Sequence, residues 1–406
     1  MFRKWILWIL AVGWTLCVAA CTSSQSTDSP SPSPQPDSVT ELFPSPSVSL
    51  TPTLLPEEPP PARAESEFTT DFSKHSVPYS EILSGGPPKD GIPPIDAPQF
   101  IPVKEADEWL EAREPIVFVQ VGDDARAYPV QILIWHEIVN DTVGNEPLIV
   151  SFCPLCNTAI AFKRTFDGEV LDFGTTGRLR YSNLIMYDRQ TETWWQQATG
   201  DAIAGKHMGA QLEFYPASMI SWADFKDLYP NGKVLSRDTG HPRDYGRNPY
   251  FGYDDINQTP FLYNGETPDQ LPPMARVLTV DLKNEAVAYP YDILSQANII
   301  NDTVGGEAIV ILWNNGTASA VDTSNIPEGR DVGAAVAYSR SLEGRMLTFK
   351  FADGKILDEQ TDSGWNILGQ AISGELKGKQ LTPVVSINHF WFSWAAFRPE
   401  TKVYQP

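Results

Sequence analysis

The feature that most constrains this chain is that it repeats itself. Ala127-Tyr128-Pro129 with Ile132-Leu133 returns as Ala288-Tyr289-Pro290 with Ile293-Leu294. Ile138-Val139-Asn140-Asp141-Thr142-Val143-Gly144 returns as Ile299-Ile300-Asn301-Asp302-Thr303-Val304-Gly305, and the offset is 161 throughout. The apolar run Leu148-Ile149-Val150 then falls on Ile309-Val310-Ile311. Further on, the copies stay parallel at changed offsets. Ala161-Phe162 with Gly168 and Leu171 matches Ala337-Tyr338 with Gly344 and Leu347. Asp188, Thr191 and Trp195 match Asp358, Thr361 and Trp365, and Ser221-Trp222-Ala223 with Phe225 matches Ser393-Trp394-Ala395 with Phe397. A period this long marks a duplicated domain, not a solenoid. Whatever the fold, it is one that can be built twice.

Within each copy the local pattern is mostly strand. Pro115 to Val121, Pro147 to Phe152, Thr158 to Lys163, Val170 to Gly174 and Asn183 to Tyr187 are short runs rich in β-branched and aromatic residues, bounded by Gly, Asn and Asp turns. One helix fits near each copy's end, with Ser218 as its cap and Trp222, Phe225 and Leu228 as its buried stripe. The expected class is mainly β with a minor helical part: two tandem, divergent β-rich copies of one module. The copies themselves run from about 114 to 235 and from about 274 to 406. With the connecting stretch divided between them, the modules are 114–260 and 261–406, preceded by a lead-in at 67–113.

Residues 1–20 read as a signal peptide. Arg3 and Lys4 form its charged region, and Trp5 to Leu16 an apolar run too short for a comfortable membrane span. It ends in Val18-Ala19-Ala20-Cys21, which resembles a bacterial lipoprotein cleavage box. That resemblance implies a mature N-terminus at Cys21 carrying lipid, with the membrane as a partner and the extracytoplasmic side of the cell envelope as the location. Each lipid methylene buried contributes about 0.8 kcal/mol. Residues 21–66, rich in Ser, Pro and Thr, have no apolar periodicity and read as a disordered tether. Without Arg3 and Lys4 the mature chain carries 28 basic against 51 acidic residues, a net charge of −23, which makes nucleic acid a poor partner.

The duplication is an internal control for chemistry. Cys153 and Cys156 form a Cys-Pro-Leu-Cys turn between two strand-like runs, and they are the only thiols in the body of the chain. At the 161 offset Cys153 falls on Asn314, Cys156 on Thr317 and His136 on Ala297. Residues needed for folding tend to survive in both copies, whereas residues needed only for chemistry can be shed by one. His136, Cys153 and Cys156 are therefore grouped as one metal or redox site.

A second asymmetry lies between Gly174 and Asp188, where copy two is about six residues shorter and lacks counterparts of Arg178 and Arg180. Two arginines beside a Gly-rich turn could hold a carboxylate or phosphate, or could pair with local acids such as Asp188 or Glu192. Residues 236–255 form a polar, aromatic, Gly-rich loop of the kind used for binding or for packing between domains. It could cover the copy-one site. The candidate surface for a small-molecule or anionic ligand is Arg178, Arg180, Asp188, Arg189 and Trp195, with Arg243, Asp244, Tyr245 and Arg247 from this loop.

The segments Trp135 to Gly144 (WHEIVNDTVG), Ser151 to Ala159 (SFCPLCNTA), Gly177 to Gln197 (GRLRYSNLIMYDRQTETWWQQ) and Thr239 to Tyr253 (TGHPRDYGRNPYFGY) resemble a bacterial family known as domain of unknown function 3179. The resemblance covers roughly 95–260 and implies no activity.

Three functions fit these residues. Two thiolates and an imidazole from Cys153, Cys156 and His136 would suit copper or zinc, with His207, Met208, His241 or water as a fourth ligand. The same C-x-x-C could exchange thiol for disulfide, although no thioredoxin-like βαβ context surrounds it. Alternatively the chain is a non-catalytic ligand-binding module with a structural Cys153–Cys156 disulfide. The expectation placed first is the metal site. No Ser-His-Asp order, P-loop or Rossmann glycine motif stands out.

Overall fold

A computed structural model describes residues 55, 56 and 58–406. The signal peptide, Cys21 and most of the tether lie outside the described residues, within which no helix is long and apolar enough to cross a membrane.

The strand-like runs of the sequence are strands, and the protein is mainly β. The lead-in supplies β1 (Ile82–Ser84) and β2 (Phe100–Pro102). The first half then runs β3 (Pro115–Val121), β4 (Asp124–Pro129), α1 (Val130–His136), β5 (Ile138–Val143), β6 (Glu146–Cys153) and β7 (Thr158–Lys163). It continues through β8 (Phe173–Arg180), β9 (Asn183–Asp188), β10 (Trp194–Gln196), β11 (Ala202–Ala204), β12 (Phe214–Tyr215), β13 (Ser218–Ser221), α2 (Trp222–Leu228) and β14 (Lys233–Leu235).

The same order occurs again after residue 275. It runs β15 (Arg276–Leu282), β16 (Glu285–Pro290), α3 (Tyr291–Ala297), β17 (Ile299–Val304), β18 (Glu307–Asn314) and β19 (Ala334–Ser339). Next come β20 (Phe349–Ala352), β21 (Lys355–Asp358), β22 (Gly364–Trp365), β23 (Ala371–Ser373), β24 (Ser386–Phe390), α4 (Trp391–Ala395) and β25 (Lys402–Val403).

Each half carries three larger sheets beside a two-stranded hairpin, Thr165–Phe166 with Glu169–Val170 in the first and Ser341–Leu342 with Arg345–Met346 in the second. One is β13-β3-β4-β14, extended by β2, and its counterpart is β24-β15-β16-β25. In both, the last strand joins in parallel. The second is β12-β7-β6-β5 against β19-β18-β17. The third is β8-β9-β10-β11, with β1 added at its edge, against β20-β21-β22-β23. The lead-in is thus woven into the first half's sheets.

Two helical features differ from the sequence expectation. The late helix begins at Trp222, not after Ser218, which lies in β13. Its cap is Ser221, whose hydroxyl accepts from the Asp224 N–H at 3.0 Å. The helices α1 and α3 are not expected from the sequence, since each is only seven residues long and Val130-Gln131-Ile132-Leu133-Ile134 is apolar but for Gln131, with no helical periodicity to read. Pro129 and Pro290 start these helices, and each ends on a left-handed residue: Glu137 (φ 59°) and Asn298 (φ 58°).

Strand register places the end of the second copy three residues earlier than the sequence comparison did. Ser221 pairs with Pro115, and Phe390 pairs with Arg276. Trp222 therefore corresponds to Trp391, and Ile220 to His389. Three residues is nearly one helical turn, so the apolar pattern matched in either alignment.

The halves pack reciprocally. β13 of the first lies against β19 of the second, and β24 of the second lies against β7 of the first. Ile220, Trp222 and Phe225 share a core with Val310, Leu312 and Val336, while Ile387 joins the core around Cys153, Cys156 and Phe162. Each half completes its core with a strand of the other.

Candidate functional site

The β6–β7 connection is the tightest point of difference between the halves. In the first, four residues join the strands: Pro154 to Cys156 make one 3-10 turn, and Asn157 at φ 52° turns the chain back. Proline fixes the turn's entry, and asparagine tolerates the left-handed exit. Residues 315–333 replace these four between β18 and β19. Only Asn314 has a clear counterpart, Cys153; the position of Cys156 is lost in the longer loop.

The turn brings Cys153 Sγ within 3.0 Å of Cys156 Sγ, with both side chains free and buried. Burial, then the hydrogen bond it donates to Cys156, holds the Cys153 thiol well above the usual range. Polar groups converge on the pair. The Ser182 carbonyl accepts from Cys156 at 3.4 Å and lies 3.7 Å from Cys153. The side-chain amide of Asn183 donates to Cys156 Sγ at 3.5 Å. These groups come from the β8–β9 hairpin, whose Tyr181 and Ser182 are both left-handed, as a two-residue type I′ turn requires. The corresponding hairpin of the second half is shorter, with Asp353 and Gly354 at its turn. The extra residues of the first half thus carry Ser182 and Asn183 to the sulfurs.

Glu137 adds a carboxyl to this surrounding. It caps α1, its N–H bonds the Leu133 carbonyl at 2.7 Å, and its own carbonyl accepts from Phe152, next to Cys153. The side chain is buried, has no hydrogen-bond partner among the described residues, and is pushed up to about 8 by that burial. Once ionised, its charge raises Cys153 and Tyr250. The sequence held one signal for it: a glutamate where the left-handed backbone favours asparagine, which is what Asn298 supplies in the other half.

The stretch from 236 to 275 contains no strand or helix and covers the turn as a lid. Tyr250, Tyr253 and Leu262 pack on the cysteine cluster, and the Ser182 hydroxyl bonds the Phe261 carbonyl. The expectation that this loop lies over the first-copy site agrees with its packing. The long 315–333 loop grips the lid from the second half. Asn248 and Gly252 donate to the Ser324 and Asp322 carbonyls at 2.9 and 2.6 Å, and the Gly246 carbonyl accepts from Ile326 at 3.0 Å. Asp254, 1% exposed, meets Arg276 at 2.6 Å, Arg330 at 2.8 Å and the Ser319 hydroxyl. Burial alone would raise its carboxyl; Arg276, Ser319 and Arg330 hold it below the ordinary value.

The other predicted residues separate. His136 is buried, but its Nδ1 bonds the Pro93 carbonyl and its Nε2 the Tyr245 hydroxyl, each at 2.7 Å. A carbonyl only accepts, so Nδ1 carries the proton and Nε2 accepts from Tyr245. Burial pushes this imidazole down to about 4. His136 therefore ties down the start of the lid, with His241 beside it at 5.6 Å between ring centres. Among the described residues no three His, Cys, Asp or Glu side chains come together as a metal group.

Arg178 pairs with Glu67 at 2.8 Å and Arg180 with Glu81 at 2.7 Å, both from the N-terminal region rather than Asp188 or Glu192. Arg189 pairs with Asp96 at 2.5 Å. Asp188 accepts from the Thr191 N–H at 2.6 Å and from Trp195 Nε1 at 2.9 Å, an arrangement that Asp358, Thr361 and Trp365 reproduce. Present in both halves, it is scaffold. On the lid, Arg243 donates to the Pro242 carbonyl, Arg247 donates to Asn325 Oδ1 at 2.7 Å, and Asp244 is exposed.

The fold and site define a class: a doubled β protein with a buried two-cysteine turn in one half, lidded by the linker and clasped by the other half. The chain belongs to the family described as protein of unknown function (DUF3179), which matches residues 89–401. That match extends across the second half, beyond the 95–260 over which the resemblance was first seen. No curated protein and no solved structure matches the chain.

Proposed function

We propose that this is a lipid-anchored, extracytoplasmic protein whose first half holds a lidded thiol–disulfide centre, Cys153–Cys156. The observation that carries this reading is the pair of buried thiols, 3.0 Å apart in a stiff turn, with the Asn183 amide donating to Cys156 Sγ. A donor of this kind favours sulfur that carries charge, against the burial that holds Cys153 as a thiol. Oxidation joins the two Sγ atoms, releases two protons and passes two electrons to the disulfide of a partner, which leaves as two thiols. The lid must lift for a partner to reach the pair.

A metal reading with copper or zinc keeps one support, the same Asn183 donor to sulfur. It loses His136, whose two nitrogens are both engaged elsewhere. Two thiolates on tetrahedral zinc at about 2.3 Å would also stand about 3.8 Å apart, so the pair would have to open.

The test uses the full chain in detergent, purified without chelator, and equilibrated across glutathione buffers. Thiols are counted by alkylation and metals by elemental analysis, beside a Cys153→Ser/Cys156→Ser variant. The expected result is a reversible passage between two thiols and none. A disulfide that resists reduction while the protein stays folded would return the pair to a structural role. Stoichiometric copper or zinc lost in the double variant would favour the metal.

A further inference from the structure

We infer that His389, supplied by the second half, is a positioning residue for the first half's thiol turn, so that the centre is built across both copies. This rests on the thiol–disulfide reading and says which residue sets the equilibrium of that pair.

The first observation is a bonded chain. His389 Nδ1 lies 2.8 Å from the Thr158 hydroxyl, and that hydroxyl donates to the Cys156 carbonyl at 3.1 Å. Thr158 also sits opposite Cys153 in the β6–β7 ladder. With its proton given to Cys156, the Thr158 oxygen accepts from Nδ1–H, which settles the tautomer. The Ser393 hydroxyl, also from the second half, reaches the same Cys156 carbonyl at 3.5 Å. His389 and Ser393 therefore hold the turn from outside its own half.

The second observation is the pseudo-symmetry. Reciprocal packing creates two equivalent junctions. At one, Ile220 and Asp224 of the first half face the end of β18, where Asp224 accepts from the Asn314 amide at 3.1 Å. At the other, His389 and Ser393 face the cysteine turn. An apolar side chain serves at the junction without thiols, and an imidazole stands at the junction with them. The imidazole is not needed for strand pairing, because Ile220 opposes Ile116 as His389 opposes Val277.

The third observation is what the imidazole gives up. His389 is fully buried, and its Nε2 has no partner among the described residues. Packing alone would select an apolar residue like Ile220, since an unpaired buried nitrogen is unfavourable. An imidazole stands here despite that penalty, and its one bonded nitrogen meets the Thr158 hydroxyl of the thiol turn.

By ordering the turn, His389 keeps the two sulfurs close and raises the effective concentration of one thiol at the other, which favours the closed disulfide. The experiment compares the full chain with His389→Leu, His389→Asn and Thr158→Val. It reads the dithiol–disulfide equilibrium against glutathione together with the amide exchange of Asn157, whose N–H closes the turn onto Pro154.

His389→Leu and Thr158→Val should each shift the equilibrium at least tenfold toward dithiol, about 30 mV for two electrons. Asn, whose amide can replace Nδ1–H, should stay within threefold of the original. A folded Leu variant whose equilibrium stays within twofold overturns the assignment. If the original protein shows no reversible exchange, the thiol–disulfide reading fails, and His389 is then judged on Asn157 alone. Tenfold faster amide exchange in the Leu variant supports it; unchanged exchange overturns it. Should the Leu variant not fold, Thr158→Val removes the same link from the first half and decides.

Discussion

The β6–β7 turn of the first half and the β18–β19 loop of the second occupy the same place in the same fold and do opposite things. The first is four residues long and buries two thiols; the second spans 315–333 and reaches across to grip the lid over them. One half carries the two cysteines in a short turn. The other lost the cysteines and lengthened the turn into a clasp. A duplicated scaffold can thus divide a site and its cover between its copies.

The comparison breaks most readily at the clasp. Asp254→Ala leaves Arg276 buried without its partner, and the loss should be about 3–5 kcal/mol. Denaturant unfolding measures that loss, and native-state alkylation of Cys153 and Cys156 should accelerate more than tenfold. An alkylation rate unchanged in the folded variant would mean that 315–333 does not control access.

The left-handed caps offer a sharper contrast. Glu137 keeps its proton up to about 8, whereas the same residue in the unfolded chain loses it near 4.5. Between those values the folded state binds more protons, so stability falls as pH rises, by up to about 1.4 kcal/mol per unit. Glu137→Gln should flatten that slope, and Asn298→Gln should leave it as it is. Urea midpoints at pH 5, 6.5 and 8 distinguish the two.

The Asp-Thr-Trp turns should show no contrast at all. Asp188→Ala and Asp358→Ala each remove the acceptor for a buried Trp Nε1 and a Thr N–H, at about 2–3 kcal/mol apiece. Equal melting losses fit scaffold. A stable Asp188→Ala variant that loses thiol exchange would give Asp188 a role in the chemistry. Smallest of all is Arg180→Gln, at about 1 kcal/mol or less for a partly exposed pair with Glu81. A change in ligand binding without a change in stability would revive Arg180 as an anion contact.

The repeat made the fold class legible, because strands 161 residues apart carry the same register-setting residues. The cysteine turn was legible because one copy lacks it. The rest of the site was not. His136 is near in sequence, but its ring bonds the lead-in and the lid. The imidazole that does touch the turn's network is 231 residues from Thr158, and reciprocal packing brings it there. The partners of Arg178 and Arg180 were misplaced for a related reason. Glu67 and Glu81 come from a stretch that looked like a lead-in but adds β1 to the edge of the sheet. Spacing finds neighbours along a strand; it does not find neighbours delivered by another layer.

The reciprocal packing also has a bearing on how the molecule is made. Cys153 and Cys156 are synthesised long before β24, which carries His389 close to the end of the chain. Until that strand docks, the thiol turn lacks its outer wall and its hydrogen-bonded support. Ordering so distant a contact is intrinsically slow. The cysteines therefore pass through an open period during maturation, when any oxidant or metal in the compartment has its easiest access, and the state sealed in at closure is the one the finished protein inherits.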